Sequence, residues 1–214
     1  MRALRQPLMR LIGAGWIVAV VAFGGVGTAS AQSQFTAEEK AKLFRGELVV
    51  RPEARRRGNL TLIGGLAWQV VDLPTEAVWR AVTDYGNYWR FIPEAKQSKV
   101  LGTKRNETFV AIRHERGPLS VDYTMRMHVE HGERTAEFRL DKNRGHDIDE
   151  GWGFFVVTPY SDGRTLVSFG VFADVGHGML AGMIQPTVQK WMLRVPAELK
   201  KFVLGKGRRW YASQ

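Results

Sequence analysis

The sequence predicts an α+β fold in which a curved antiparallel sheet wraps around one long C-terminal helix. Apolar and polar residues alternate from about residue 97 to residue 174, with short turn sequences between the runs, which is typical of an antiparallel meander. Apolar residues then recur at helical spacing over 186–204. A sheet must bury one of its faces, and this long apolar stripe is available to cover it. Such an arrangement encloses a cavity wherever bulky side chains do not fill the space.

Two elements are predicted within residues 37–58. Thr36 and Glu39 form a capping box, which predicts a short helix over 37–45. The basic sequence at 51–58 contains a proline and ends in a glycine, and it predicts a loop or hairpin tip.

A strand and a helix follow before the meander. Residues 60–71 are rich in aliphatic side chains and predict a strand, in which Gly64 and Gly65 indicate a bulge. Pro74 suits a first helical turn, and the apolar spacing behind it predicts an amphipathic helix over 74–84.

Two prolines bear on the C-terminal helix. Pro186 suits the start of the helix over 186–204, while Pro196 predicts a kink within it.

The composition is that of an ordinary globular domain, with 44% hydrophobic and 24% charged residues among 214. The chain has no cysteine, which excludes disulfides, thiolate nucleophiles, cysteine-bound zinc and iron–sulfur clusters. Its net charge of +10 indicates contact with something anionic, either lipid headgroups or nucleic acid.

The N-terminus has the pattern of a secretory signal peptide. Three arginines and no acidic residue precede an apolar run over 11–27, and residues 29–31 form an A-x-A cleavage sequence. We therefore predict cleavage before Gln32, removal of residues 1–31, and a periplasmic or cell-envelope protein. The alternative is an uncleaved helix that anchors the protein, because the run is only slightly shorter than a spanning helix. Export argues against nucleic acid and favours an anionic membrane surface as partner.

The rest of the chain contains no internal repeat or low-complexity linker, so we expect one domain and a monomer. We place an N-terminal helix and basic loop at 32–59, the sheet-and-helix domain at 60–206, and a basic, aromatic tail at 207–214.

Two stretches carry a family resemblance. The run VVDLPTEAVWRAVTDYGNYWRFIP at 70–93 resembles the opening of SRPBCC (START-like) domains. The Gly-Trp-Gly at 151–153, the Gly-Arg-Thr at 163–165 and the terminal helix are similar to the same pattern, so the resemblance covers about 60–204. It is strongest to the polyketide cyclase/dehydrase and lipid-transport group, which includes coenzyme-Q-binding START-type proteins.

The resemblance implies a helix-grip fold, as in START domains and birch-pollen allergens. It also implies binding of hydrophobic molecules such as lipids, sterols, quinones or polyketides, with no universal catalytic residue to carry over.

Nine side chains are our candidates for the cavity lining. They are aromatic, aliphatic or thioether groups at predicted inward positions, together with one arginine: Trp68, Arg113, Tyr123, Met125, Phe138, Phe154, Phe172, Met192 and Val195. Arg113 is in register with Phe109 and Ala111, so it is the best candidate to meet a ligand headgroup. The alternatives for Arg113 are a protein carboxylate as partner or a position outside the cavity.

Residues for catalysis or metal binding are sparse. The five histidines show no ligand spacing, and we expect His128 and His131 on the surface. The sequence HDIDE at 146–150 is either a site for a hard cation or an ordinary charged entrance to a strand, and we expect the second. No nucleophile elbow or phosphate-binding loop occurs. We therefore predict no catalytic residue, no metal and no cofactor.

Two basic clusters are candidates for docking on anionic lipid, or else are solvated faces: Arg55, Arg56 and Arg57, and then Lys200, Lys201, Arg208 and Arg209, beside Trp210 and Tyr211. The favoured function is an exported, non-enzymatic carrier of a hydrophobic ligand. The alternative is a cyclase, dehydratase or hydrolase that uses the same cavity. An acid or base with a perturbed pKa inside the cavity favours the enzyme.

Overall fold

The computed structural model describes residues 35–117, 119–174 and 179–211. The predicted signal peptide, the cleavage site before Gln32 and His177 lie outside the described residues. The α-helices and strands of the described chain are, in order, α1 (Ala37–Phe44), β1 (Val49–Arg57), β2 (Leu60–Val71), α2 (Thr75–Thr83), β3 (Ala95–Lys104), β4 (Glu107–Arg116), β5 (Leu119–Glu130), β6 (Thr135–Leu140), β7 (Gly151–Pro159), β8 (Thr165–Asp174), α3 (Met179–Leu193), α4 (Val195–Leu204) and α5 (Arg208–Tyr211). Two 3-10 helices lie at Tyr85–Arg90 and Ser161–Gly163.

The strands form one curved antiparallel sheet in the order β1-β2-β8-β7-β6-β5-β4-β3. The predicted meander is confirmed from β3 to β8, because each of these strands pairs with its neighbour in the chain. Strand β8 then pairs with β2, which brings the N-terminal hairpin onto the sheet. Together with the C-terminal helices, this sheet confirms the predicted helix-grip fold.

Residues 51–57 of the basic sequence form a strand, so the predicted loop was wrong there, whereas Gly58 lies in the turn of a hairpin, where a hairpin tip was the other prediction. The strand is β1, which pairs with β2 from Val49 opposite Trp68 to Arg57 opposite Leu60. Strand β1 is the edge of the sheet, where Pro52 is tolerated because no further strand needs its missing N–H. The proposed boundary between residues 59 and 60 would therefore divide a hairpin.

The glycine pair in β2 allows a close approach of backbones instead of a bulge. The pairing of β2 with both neighbours is continuous through Gly64 and Gly65. A Cβ atom on Gly64 would overlap the Val171 carbonyl, and one on Gly65 would overlap that of Arg51. The register shifts of the sheet lie in β3.

The N-terminal helices follow the predicted signals. The Thr36 hydroxyl accepts from the Glu39 N–H (3.2 Å), and the Glu39 carboxylate accepts from the Thr36 N–H (2.8 Å), which confirms the capping box of α1. Helix α2 begins directly after Pro74, as predicted.

The C-terminal helix differs from its prediction. Pro186 lies inside α3 and does not begin it, while the chain breaks at Arg194 and α4 starts with Pro196 in its first turn. A proline in a first turn loses no helical hydrogen bond, which explains why the break lies before it. No helix in the described ranges is both long and apolar enough to cross a membrane.

Residues 207–211 of the predicted tail pack onto the rest of the fold. Residues 208–211 form α5, and the buried Tyr211 hydroxyl donates to the Asp84 carboxylate at 2.8 Å. Burial and this hydrogen bond raise the pKa of Tyr211.

The sheet buries side chains on both faces. Its concave inner face, toward the C-terminal helices, carries the main core with Phe138, Phe155 and Phe169. Its outer face carries a smaller cluster in which α1 covers the sheet, made of Phe35, Leu43, Val49, Trp68, Val70 and Leu166. Because side chains alternate along a strand, neighbouring residues of β2 and β8 belong to different cores.

Candidate functional site

A cavity of about 810 Å³ lies between the inner face of the sheet and helix α3. Strands β4 to β8 supply its walls, and Val188, Trp191 and Met192 of α3 cover them. Most lining side chains are apolar. The cavity therefore holds apolar molecules of drug or lipid size far better than polar ones.

One wall of the cavity is aromatic. The ring centroids of Phe155 and Phe169 are 4.6 Å apart, and Phe138 packs against both. Tyr88 completes this wall, and its hydroxyl donates to the Val82 carbonyl at 2.7 Å. Because Tyr88 is already satisfied, this wall presents only ring surface to a ligand.

The structure brings six of the nine predicted lining residues to this cavity. They are Tyr123, Met125, Phe138, Phe172, Met192 and Val195. The face was assigned correctly for all of these except Phe172, which shares the outer face with Gly170, stacks on Trp152 and lies against the Arg55 guanidinium.

Arg113 lies on the opposite face of the sheet, so its predicted inward position was wrong. Its Nε donates to Asp122 Oδ1 at 2.8 Å and its Nη2 to Oδ2 at 3.0 Å, both in solvent-exposed positions. In β4 the inward residues are instead the alternate ones, Ile112 and His114. The prediction therefore placed the wrong one of the two alternating sets of β4 residues on the inner face.

Trp68 and Phe154 also lie outside the cavity. Trp68 belongs to the outer cluster, where its ring meets Phe35 edge-on at 5.2 Å. Phe154 packs over Gly170 on the outer face, and Phe155 takes the inward position in β7. The nearly continuous apolar run of β7 offers no alternation from which to decide between these two rings.

His114 is the main residue of the site that sequence reasoning missed. Its Nδ1 lies 3.2 Å from the Pro93 carbonyl oxygen, and its Nε2 lies 2.7 Å from the Tyr123 hydroxyl. Burial lowers the pKa of His114, so its ring is neutral at pH 7. The signal for it was the alternation Val110, Ile112, His114, in which histidine continues an apolar row.

The two hydrogen bonds of His114 fix the direction of donation. A carbonyl oxygen only accepts, so Nδ1 carries the ring proton and donates to Pro93. The unprotonated Nε2 then accepts from the Tyr123 hydroxyl. The Tyr123 oxygen, on a residue that lines the cavity, retains a lone pair that can accept a hydrogen bond. Burial also raises the pKa of Tyr123, so the hydroxyl keeps its proton.

Charged residues surround this polar end of the cavity. Glu94, Glu115, Arg116 and Asp147 contribute to the lining there. Glu94 has a left-handed φ of 60°, and its carbonyl accepts from the Glu115 N–H at 3.1 Å. The Arg116 guanidinium lies 4.3 Å from the ring centroid of Trp191, which joins β4 to α3. Acidic groups outnumber basic ones at this end.

The sequence 146–150 makes protein contacts in place of a metal site. The Asp147 carboxylate accepts from the Asp122 N–H at 2.7 Å, and Glu150 pairs with Arg57 (3.0 Å) and Lys142 (3.1 Å). Within the described ranges, no three histidine or acidic side chains are grouped so as to hold a metal ion.

The first predicted docking cluster lies on the outer face at the end of β1. Arg55 pairs with Glu53 at 2.8 Å, and Arg57 pairs with Glu150. The guanidinium of Arg55 also lies 4.0 Å from the ring centroid of Phe172. These arginines border a groove, together with Arg56.

The second predicted cluster is split between buried and exposed positions. Lys200 is half-buried, pairs with Asp72 at 3.2 Å and donates to the backbone carbonyl of Gly46. Lys201, Arg208 and Arg209 are exposed.

Comparison with known proteins gives a family and a fold. The family model described as "Polyketide cyclase / dehydrase and lipid transport" matches residues 71–194. A comparison with curated protein sequences gave no significant match.

Three solved structures show the fold. The protein TTHA0849 of Thermus thermophilus is 18% identical, with a TM-score of 0.56, over 66% of this chain and 97% of its own. The Zhui aromatase/cyclase of Streptomyces sp. R1128 is 14% identical, with a TM-score of 0.55, over 75% and 95%. A STAR-related lipid transfer protein of Xanthomonas axonopodis is also 14% identical, with a TM-score of 0.55, over 73% and 98%.

Proposed function

The chain belongs to the polyketide cyclase/dehydrase and lipid transport family, and from that premise we propose that it is a carrier of a hydrophobic ligand in the cell envelope. The observation that carries the proposal is the apolar cavity of about 810 Å³. Pockets that hold small molecules typically measure about 300–1,000 Å³ and have mostly apolar walls with a few polar groups. A lipid, sterol, quinone or polyketide-like molecule suits such a space.

The polar end of the cavity supports a neutral ligand with a hydrogen-bond donor, such as a hydroxyl group. The Tyr123 oxygen offers an acceptor, since its own proton is donated to His114. A carboxylate would meet Glu94, Glu115 and Asp147, which repel it. We therefore expect fatty alcohols or sterols to bind more tightly than fatty acids of the same length.

Filling the cavity tests the carrier function directly. Val188 of α3 lines the cavity, whereas Lys190 of the same helix is exposed. We expect Val188→Trp to weaken binding of the fluorescent probe N-phenyl-1-naphthylamine at least about tenfold, because the indole occupies the space the probe needs. Lys190→Trp is the matched control and should bind as the parent does. Equal binding by both variants would contradict ligand binding in this cavity.

The natural ligand can be sought in the purified protein. Mass spectrometry of organic extracts should detect an apolar molecule in the parent protein and much less of it in Val188→Trp.

An enzymatic function is the second candidate, and His114 is the observation that favours it. A buried histidine with a lowered pKa inside a cavity is a suitable general base. Both of its ring nitrogens are hydrogen-bonded to protein atoms, so a substrate proton must reach it through the Tyr123 hydroxyl. This requirement makes the carrier the better-supported function.

Product analysis separates the two functions. A dehydratase should convert the extracted ligand into a product lighter by one water, whereas a cyclase that does not dehydrate gives an isomer of unchanged mass, and His114→Ala should stop either conversion. A carrier returns the ligand unchanged.

Export is part of the proposal and is supported by the sequence of residues 1–31. N-terminal sequencing of protein isolated from the cell envelope should begin at Gln32. A chain that still begins at Met1 in the membrane fraction would instead indicate the uncleaved anchor.

An aromatic and basic patch supports contact with an anionic membrane. Trp89 and Trp210 are each 40% exposed, and the Arg90 guanidinium lies 4.3 and 4.9 Å from their ring centroids. Arg208 and Arg209 precede Trp210 in α5. Tryptophan beside basic residues suits the interface between lipid headgroups and water. From Arg90 the chain continues directly to the residues that line the polar end of the cavity.

Vesicle transfer tests this contact. We expect Arg208→Ser with Arg209→Ser to slow probe transfer to vesicles containing phosphatidylglycerol several-fold, because each basic residue contributes about 1 kcal/mol near an anionic surface. High salt should slow the parent in the same way. Unchanged rates in both conditions would contradict electrostatic docking through this patch.

A further inference from the structure

A second depression, which we call the outer groove, lies on the opposite side of the sheet from the cavity and has a volume of about 630 Å³. Its walls come from the end of β1, from β5 to β7 and from the loop after β6. Its lining includes six basic side chains, namely Arg55, Arg56, Arg57, Arg126, Arg139 and Lys142. The acidic side chains in the lining are Asp141 and Glu150.

Two of these arginines are held together by the sheet itself. Arg126 of β5 is the direct register partner of Arg139 of β6, and both lie on the outer face. Like charges directly opposite each other across two strands are unfavourable. The register places no acidic residue directly opposite either side chain on the outer strands, because Phe109 is opposite Arg126 and Trp152 is opposite Arg139.

The acidic groups of the groove are already engaged by other cations. Glu150 pairs with both Arg57 and Lys142, and Asp141 pairs with Arg144 at 3.0 Å. The groove therefore has a surplus of positive charge at Arg126 and Arg139.

Arg126 is incompletely satisfied within the described part of the chain. Its Nη1 lies 3.6 Å from a carboxylate oxygen of Glu107 of β4, which does not line the groove. Its Nε is buried and has no hydrogen-bond partner among the described residues. A buried donor without an acceptor is unfavourable, and an oxyanion in the groove would satisfy it.

We propose that the outer groove is a binding site for a phosphate-type oxyanion. Guanidinium groups match phosphate oxygens with paired hydrogen bonds, and Lys142 adds a point charge. The volume is larger than one phosphate needs, so the ligand is a phosphate that carries an organic group. Its source is either a soluble phosphoester or the headgroup of an anionic lipid. The groove is on the face opposite to the cavity, so the site does not depend on the ligand carried there.

Calorimetric titration of the purified protein with glycerol 3-phosphate at low salt tests the site. We expect Arg139→Gln and Arg126→Gln each to weaken binding about tenfold, which is the loss of one charge-assisted hydrogen bond. The matched control is Arg113→Gln, an arginine on the same outer face that pairs with Asp122 outside the groove. It should bind as the parent does. Equal affinity in all three variants would overturn the site.

A parallel binding experiment with lipid vesicles identifies the source of the phosphate. Binding of glycerol 3-phosphate that depends on Arg139 assigns the site to a soluble phosphoester. Binding only to vesicles that contain phosphatidylglycerol, with the same dependence on Arg139, assigns it to a lipid headgroup. Failure of both probes to bind at low salt would overturn the proposal. Probe binding in the cavity is measured in parallel and should be unchanged in every groove variant.

Thermal unfolding distinguishes a ligand-binding role of Arg139 from a purely structural one. We expect Arg139→Gln without phosphate to raise the melting temperature, because it removes the repulsion from Arg126. Phosphate should stabilise the parent more than this variant. A lower melting temperature for Arg139→Gln, with the same phosphate effect as in the parent, would contradict the site.

Discussion

The two faces of one sheet differ in what they bury and in what they leave unfilled. The inner face packs aromatic rings around an apolar cavity whose polar end centres on His114 and Tyr123. The outer face has a small core under α1 and then a basic groove in which Arg126 and Arg139 lie side by side. Since successive residues of a strand point to opposite faces, the same strands supply both surfaces. The difference shows how one alternation produces an apolar site and a charged one.

Deleting buried rings and aliphatic groups should have the largest effect and should separate the faces. We expect Phe155→Ala, on the inner face, and Leu43→Ala, in the outer cluster, each to lower the free energy of unfolding by about 2–5 kcal/mol. Only Phe155→Ala should also change binding of N-phenyl-1-naphthylamine, because Phe155 lines the cavity. Urea unfolding and probe titration measure the two effects.

If Phe155→Ala does not fold, Phe155→Leu tests the same point at a smaller cost in stability. A change in probe binding by Leu43→Ala as large as that in the Phe155 variant would contradict the separation of the two faces.

The next effect concerns the selectivity of the inner face. Tyr123→Phe removes the hydrogen-bond acceptor at the polar end of the cavity. We therefore expect the ratio of affinities for 1-dodecanol and 1-chlorododecane to fall about tenfold. Both affinities are measured by displacement of N-phenyl-1-naphthylamine. Tyr85→Phe is the matched control, because Tyr85 is buried outside the cavity, where desolvation raises its pKa to about 12. An equal loss in both variants would indicate a general change in the core.

Much of this architecture could be predicted from the sequence, for physical reasons. In strands with one solvent-exposed face, apolar and polar residues alternate along the sequence. The capping box of Thr36 and Glu39 identifies the start of α1 without any tertiary information. Strand β1 was missed because an edge strand tolerates the arginines and proline that usually indicate a loop.

The lining of the site was harder to predict because it depends on which of the two alternating sets of residues in each strand faces inward. In β4 both alternating sets contain an apolar residue beside a polar one, so Phe109, Ala111 and Arg113 appeared as suitable as Val110, Ile112 and His114. In β7 both Phe154 and Phe155 are apolar, and only the packing against Gly170 decides between them. The meeting of Arg126 with Arg139 depends on register, which a local pattern does not specify.

A pH-dependent effect should come from His114 on the inner face. Burial lowers its pKa below the unfolded value of about 6.5, so the folded state binds fewer protons than the unfolded state in acid. This contribution to stability is complete above about pH 6.5 and is lost as the pH falls toward the folded pKa. We expect His114→Gln to unfold with a smaller decrease in stability between pH 7 and pH 5, measured by urea unfolding at each pH.

The control for this titration is His146→Gln, an exposed histidine outside the cavity. It should retain the acid-dependent loss of the parent. If His114→Gln and the parent lose the same free energy of unfolding between pH 7 and pH 5, then protonation of the buried His114 ring does not cause the acid-dependent loss.

The smallest expected effect is on the outer face, and it tests whether Arg113 of β4 points outward. Arg113 and Asp122 form an exposed pair, and such pairs contribute little to stability because water screens them. We expect Arg113→Ala to leave the melting temperature and the cavity affinity for dodecanoic acid unchanged within error. An inward arginine would instead hold the fatty-acid carboxylate, and its removal would weaken that affinity. The double variant with Asp122→Ala distinguishes the cases, because only an exposed pair leaves the cavity unaffected when both partners are removed.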